Sequence, residues 1–150
     1  MPRVRVILGS KTDLPHGEKI RETLASFGID YDFHVSSAHR KPKQTAALAE
    51  NAVADGVMVI IAAAGMAAHL PGVLAAHTTL PVIGVPLTGP TLSGEDALLS
   101  VVQMPPGVPV ATVAINGAKN AAILAAQILA LSDEALKNKL EQMKQEMATA

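Results

Sequence analysis

Short apolar runs rich in β-branched residues recur along this chain, each followed by a stretch with helical spacing, and that alternation limits the fold more than anything else. Residues 4–8, 31–35, 57–62, 82–85 and 110–115 read as strands. Several are apolar without interruption, as happens when helices cover both faces of a parallel sheet. Between them, 15–27, 42–55 and 118–131 carry helical periodicity, and a further helix is expected to begin near His69. Pro15 and Pro42 suit a first helical turn, where a missing N–H costs little, while Gly28 and Gly56 suit helix ends. The pattern specifies an α/β fold: a three-layer αβα sandwich on a doubly wound parallel sheet of the flavodoxin or Rossmann kind. At 150 residues the chain is expected to form a single domain over 1–150.

The tail carries a separate signal. Ser132-Asp133-Glu134 makes a helix start, and Leu136, Leu140, Met143 and Met147 then form one apolar edge on an otherwise charged helix. The core looks complete without it, so this C-terminal helix, from about residue 132, is expected to pack on a neighbouring subunit rather than fold back on its own sheet. Residues 87–94, rich in Gly, Pro, Ser and Thr, are expected to form a mobile loop.

Composition removes whole classes of chemistry. There is no cysteine, so thiolate nucleophiles, disulfides and sulfur-ligated metals are excluded. Net charge is −1 with no basic stripe, and only Phe27, Tyr31 and Phe33 are aromatic, which argues against nucleic-acid binding. The longest apolar run is broken by Gly65 and reads as a strand and loop, not a membrane span. No secretory signal is visible, and a cytoplasmic protein is expected. Apolar residues at 49% against 17% charged imply surface hidden in subunit contacts.

Three loops fall where parallel strands end, the place where open α/β sheets bind ligands. Ser37-Ala38-His39-Arg40 sets a group that titrates near neutrality beside a guanidinium that grips phosphate. Gly9-Ser10-Lys11-Thr12-Asp13 offers hydroxyls and helix-terminal amides to an anion, although a plain capped turn would look the same. Gly65-Met66-Ala67-Ala68-His69 is small enough for backbone to approach a ligand, or simply for tight packing. Walker and dinucleotide glycine spacings are missing, so ATP and NAD have no support. His34, His39, His69 and His77 lack the i, i+4 spacing of a helical zinc site, and no metal is expected. The inventory points to a phosphorylated small molecule that reacts by proton transfer.

Taken in order, Gly9 to Asp13, Ser37 to Arg40, Ala67-Ala68-His69-Leu70-Pro71-Gly72, 81–86, 99–105 and 120–129 resemble the N5-carboxyaminoimidazole ribonucleotide mutases. That family is also named as the catalytic subunit of phosphoribosylaminoimidazole carboxylase. The resemblance implies a cofactor-free step of purine biosynthesis, in which a carboxyl group moves from the exocyclic nitrogen of an aminoimidazole ribonucleotide to ring carbon C4. It implies His39 as the proton carrier, and Ser10 and Arg40 near phosphate. Asp13 would stand near the ribose or amine, with Gly9, Thr12, Ser37 and Ala38 beside them. Gly65, Ala67, Ala68, His69 and Leu70 would enclose the imidazole and CO2. It also implies a homo-octamer with pockets at subunit contacts. The chain departs from the pattern at Thr12, where serine is commoner, and at Ala63 and Met66, where glycine is commoner. Met66 could narrow the pocket or face the core. Two other functions remain to be weighed: a direct CO2-dependent carboxylase, and a non-catalytic nucleotide-binding assembly protein. A flavoprotein on the same architecture has no supporting residues.

Overall fold

A computed structural model describes residues 1–150. Five parallel strands stand in the order β2-β1-β3-β4-β5. They are β1 (Val4–Leu8), β2 (Tyr31–Val35), β3 (Val59–Gly65), β4 (Val82–Leu87) and β5 (Ala111–Thr112). Helices α1 (Leu14–Ser26), α2 (Pro42–Glu50), α3 (Leu70–Ala76), α4 (Glu95–Val102) and α5 (Ala118–Ala130) connect and cover them, and α6 (Glu134–Thr149) follows. This 2-1-3-4-5 order is the flavodoxin-like form of the doubly wound sheet, whose strand order reverses between β1 and β3.

The alternation of side chains along each strand builds two cores. Val4, Val6 and Leu8 join Ile20 and Leu24 of α1 and Ala121, Ala122, Ala125 and Ala126 of α5 on one face. Ile7, Ile60 and Ala62 meet α2, α3 and α4 on the other, through Ala49, Leu70, Leu74, Ala97 and Val101. The alanine face of α5 brings that helix close to the sheet. On α1, Gly17 does the same work, because a Cβ there would stand 2.7 Å from both Leu8 Cδ1 and Phe33 Cζ.

One charged side chain is buried in the sheet. Arg5 is only 4% exposed. Its guanidinium pairs with Asp32 of the adjacent strand at 2.7 Å and with Asp55 at 2.9 Å, and it donates to the Leu48 carbonyl at 2.9 Å. The edge strand β2 and the end of α2 are therefore held by a fully partnered cation, whose pKa is raised chiefly by Asp32.

Several boundaries differ from the sequence reading. β3 starts later than residue 57 and runs on to Gly65, because Ala62 and Ala63 pair with both β1 and β4 while Ala64 and Gly65 continue the pairing with β4. Small residues that resemble a loop are thus ladder. α2 stops at Glu50 instead of 55, and turns closed by Asp55 N–H to Asn51 and Gly56 N–H to Val53 lead into β3. β5 is two residues long, not six. Gly84 and Pro86 both face β5, accepting from Val113 and Asn116. Pro86 has no N–H to return to β5, and the Ala114 carbonyl accepts from Gly117 in a turn that closes the strand. Helix α4 escaped notice in the sequence, and residues 92–94 are a 3-10 turn leading into it.

The tail also differs. Asp133, not Ser132, caps α6: its Oδ1 accepts from Leu136 N–H at 3.1 Å while Oδ2 pairs with Arg3 at 2.9 Å. Lys139 reaches the Phe27 carbonyl at 3.0 Å. Leu136 is buried, and Leu140 and Met143 pack on the same core, so the apolar edge expected to meet a neighbouring subunit is largely used within its own chain. Met147 alone of the four is mostly exposed.

Two outcomes follow from these contacts. Arg5→Ala should cost about 3 kcal/mol in denaturant unfolding, since it leaves Asp32 and Asp55 facing each other without their cation. Asp133→Ala should lower Tm at neutral pH. The Leu136 amide, and after it Arg3, hold the Asp133 carboxyl below its ordinary 3.8 in the folded chain. The stabilisation is therefore complete above 3.8 and lost as pH falls through the depressed value, so the variant's deficit should shrink in melts taken at progressively lower pH below 3.8.

Candidate active site

Because β1, β2 and β3 are paired in parallel register, β1 and β2 end together at Leu8 and Val35 beside Ala63 of β3, which runs two residues further to Gly65, and all three leave the sheet at one edge. A cleft of about 610 Å³ opens there, at the point where the strand order reverses.

The first wall follows β1. Gly9 N–H bonds the Ala63 carbonyl at 3.0 Å, which keeps the chain beside β3 for one more residue. Ser10 is extended and its Oγ accepts from Thr12 N–H at 3.3 Å and Thr12 Oγ1 at 3.0 Å. Asp13 then stands at the N-cap of α1 without a side-chain capping bond. Burial pushes its carboxyl above the ordinary value, against the opposing effects of the Ser10 backbone and the charge of His16.

The second wall follows β2. Ser36 N–H continues the ladder to the Leu8 carbonyl, and Ser36 Oγ and Thr45 Oγ1 share a buried hydrogen bond of 2.7 Å. Thr45 Oγ1 also reaches the Ser37 carbonyl, so the start of this loop is tied to α2. Ser37 Oγ in turn accepts from Arg40 N–H at 3.2 Å and more loosely from Arg40 Nε at 3.4 Å. The exposed Arg40 guanidinium keeps its remaining donors for a ligand.

The third wall follows β3. Paired turns, Ala68 N–H to Met66 at 2.8 Å and His69 N–H to Ala67 at 2.7 Å, present His69 just before α3. There His39 Nε2 and His69 Nδ1 lie 2.7 Å apart, with the rings 78° from coplanar. One nitrogen must donate and the other accept, so a proton sits between two imidazoles at the cleft surface.

Every residue that the resemblance implies for the site lines this cleft: Gly9, Ser10, Thr12 and Asp13 on the first wall, Ser37, Ala38, His39 and Arg40 on the second, Gly65, Ala67, Ala68, His69 and Leu70 on the third. Sequence reasoning missed His16, Ala64, Thr88, Gly89 and Pro90. His16 follows Asp13 by three residues, the spacing that puts two side chains on one helical face, and that signal was available. Thr88 to Pro90 belong to the loop expected to be mobile. Thr88 N–H donates to Asn116 Oδ1 at 3.1 Å, and Asn116 Nδ2 donates back to Thr88 Oγ1 at 3.3 Å, so one end of that loop is pinned. Met66 lies in the cleft, not the core: it is 57% exposed. Lys119 and Asn120 are exposed and stand outside it. No three His, Asp or Glu side chains gather as a metal ligand set.

A carboxyl raised by burial makes a stability prediction. The cost of ionising Asp13 is absent below 3.8 and grows as pH rises through the folded value. Asp13→Asn should therefore melt above the parent protein at neutral pH, with the difference gone near about pH 3 in thermal melts.

Comparison with known proteins adds to this geometry. The family described as AIR carboxylase matches residues 3–150. A protein from Thermotoga maritima named N5-carboxyaminoimidazole ribonucleotide mutase is 54% identical over 147 residues, 98% of this chain and 86% of its own. One of the same name from Pyrococcus abyssi is 52% identical over 147 residues, 98% of this chain and 84% of its own. A crystal structure of Treponema denticola PurE superposes with a TM-score of 0.90 at 30% identity, covering 99% of this chain and 93% of that one. With a match that runs almost end to end, the chain belongs to the AIR carboxylase family.

Proposed function

We propose that this protein converts N5-carboxyaminoimidazole ribonucleotide to 4-carboxy-5-aminoimidazole ribonucleotide, as a mutase of purine biosynthesis working without a cofactor. The observation that carries the reading is the His39–His69 contact, set in a cleft that also offers hydroxyls, helix-terminal amides and a guanidinium. The names of relatives above 50% identical over 98% of the chain agree with it.

In this reading Ser10, Thr12 and the Arg40 guanidinium receive the phosphate. Asp13 accepts from the ribose or the amine, and Gly9, Ser37 and Ala38 shape the surface around it. His39, as imidazolium, gives a proton to the exocyclic nitrogen as the N–C bond of the carbamate breaks and CO2 departs. The ring carbon C4 then attacks the trapped CO2, and the C4 proton passes to the now neutral His39. One proton is given and one taken, so the imidazole ends as it began and nothing is oxidised or reduced. His69, bonded to His39, orients the ring and settles which nitrogen carries the proton. Gly65, Ala67, Ala68 and Leu70 give the gas a weakly polar enclosure, which the chemistry needs because CO2 lost to water ends the cycle.

The reading includes a single mutase domain over 1–150, a cytoplasmic location and a homo-octamer. Leu92, Leu99 and Val102, which are 65%, 58% and 43% exposed around α4, supply apolar surface for subunit contacts. No helix is long and apolar enough to cross a membrane.

His39→Asn should lower kcat by roughly a thousandfold while ribonucleotide binding, followed by calorimetry, changes little. A variant with unaltered turnover would remove His39 from its role. The substrate itself decides against the direct carboxylase: rapid turnover of the carbamate supports the mutase, and bicarbonate-dependent consumption of the free amine supports the alternative. Ribonucleotide binding without either reaction would mean an assembly protein.

A further inference from the structure

Of the five histidines, His16 alone has no side-chain partner within the chain. His39 meets His69, His77 pairs with Glu50, and His34 stands 3.2 Å from Asp32. His16 is half-buried and lines the cleft, yet the proton-transfer chemistry makes no use of it. It lies in the first turn of α1, three residues after Asp13 and four after Thr12, the spacings that bring side chains together at a helix start.

Two features fix where its ring goes. The next residue, Gly17, is pressed on the sheet, since a Cβ there would stand 2.7 Å from Leu8 Cδ1, and this holds the first turn of α1 in place. Helical side chains lean towards the N-terminal turn, so the imidazole of His16 is carried over the Thr12–Asp13 turn, on the wall that bears the Ser10 and Thr12 hydroxyls. A cation there is badly placed for the helix, whose N-terminal end is itself positive. An anion seated on that turn reverses the effect, because it meets the helix amides and the imidazolium together.

We propose that His16 is a further phosphate ligand, donating from its imidazolium to the ribonucleotide phosphate beside Ser10, Thr12 and Arg40. The inference rests on the ribonucleotide part of the mutase reading. Asp13, whose carboxyl feels the charge of His16, is its nearest acidic neighbour in the chain, and Arg40, His39 and His69 stand on the other walls. Lys11 precedes it and Glu18 and Lys19 follow on α1, while β1, β2 and α5 meet that helix through apolar side chains such as Leu8, Phe33 and Ala121. An imidazole loses its charge near neutrality and a guanidinium does not, so His16 makes phosphate binding depend on pH where Arg40 cannot.

The test is calorimetric titration of 4-carboxy-5-aminoimidazole ribonucleotide into the parent, His16→Gln and Lys19→Gln proteins at about pH 6 and about pH 8.5. Glutamine is a good helix former, so His16→Gln should melt within a few degrees of the parent. It should bind about tenfold more weakly at the lower pH and within about twofold of the parent at the higher, where an imidazole is neutral. Lys19→Gln, which removes a nearby charge that does not line the cleft, should match the parent at both. A His16→Gln protein that binds like the parent at the lower pH, or loses equally at both, overturns the phosphate contact. An equal loss in Lys19→Gln overturns it too, by replacing a contact with a general field. A parent protein that binds the ribonucleotide but leaves the carbamate unconverted overturns the mutase reading alone, and one that binds no ribonucleotide overturns both.

Discussion

Parallel hydrogen bonding of β1 to β2 on one side and to β3 on the other is the constraint from which the site descends. Parallel register sets Leu8, Val35 and Ala63 level, at or within two residues of their strand ends, so the segments that follow must leave from one edge. The strand order reverses between β1 and β3, which sends successive connections to opposite faces and leaves an opening between them. Residues about 30 positions apart, His39 and His69, meet there at 2.7 Å. Without the ladder neither loop has any reason to approach the other.

The loops then spend their polar groups in two ways. Some groups hold the backbone: Ser36 with Thr45, Ser37 with Arg40, Thr88 with Asn116. Others are left facing the cleft, among them the Arg40 guanidinium and the Asp13 carboxyl, which stands at a helix start without capping it. A half-buried carboxylate that does not cap its helix costs stability, and its pKa rises accordingly. Stability and ligand recognition pull apart at Asp13, as they often do where a fold meets its function. Arg5 makes the contrast: it is more deeply buried than Asp13 but has every partner it needs, and it serves the scaffold alone.

Much of the architecture was legible because period and punctuation agreed. Strands β1 and β2 and helix α5 lie where their apolar patterns place them, to within a residue or two. The failures share a cause. The far end of β3 was misread because Ala63 to Gly65 have no strand propensity of their own, and their ladder bonds come from β4 and, for Ala63, from β1 as well. β5 was overestimated because its length is limited by Pro86, a residue of another strand. The apolar edge of α6 was visible, but which surface it meets was not, since Leu136, Leu140 and Met143 satisfy either choice equally well.

The same division runs through the cleft. By itself the sequence determined which chemical groups exist and at which strand ends they stand: an imidazole beside a guanidinium, hydroxyls ahead of a helix, a loop of small residues closing on a second imidazole. Local spacing carries that information, because periodicity and turn residues act over a few positions. Only the tertiary structure decided that the two imidazoles touch, that Asn116 pins Thr88, and that Met66 lies against Gly89 and not in the core. Such contacts join segments some 20 to 30 residues apart, and their geometry depends on strand register and helix packing summed over the whole fold.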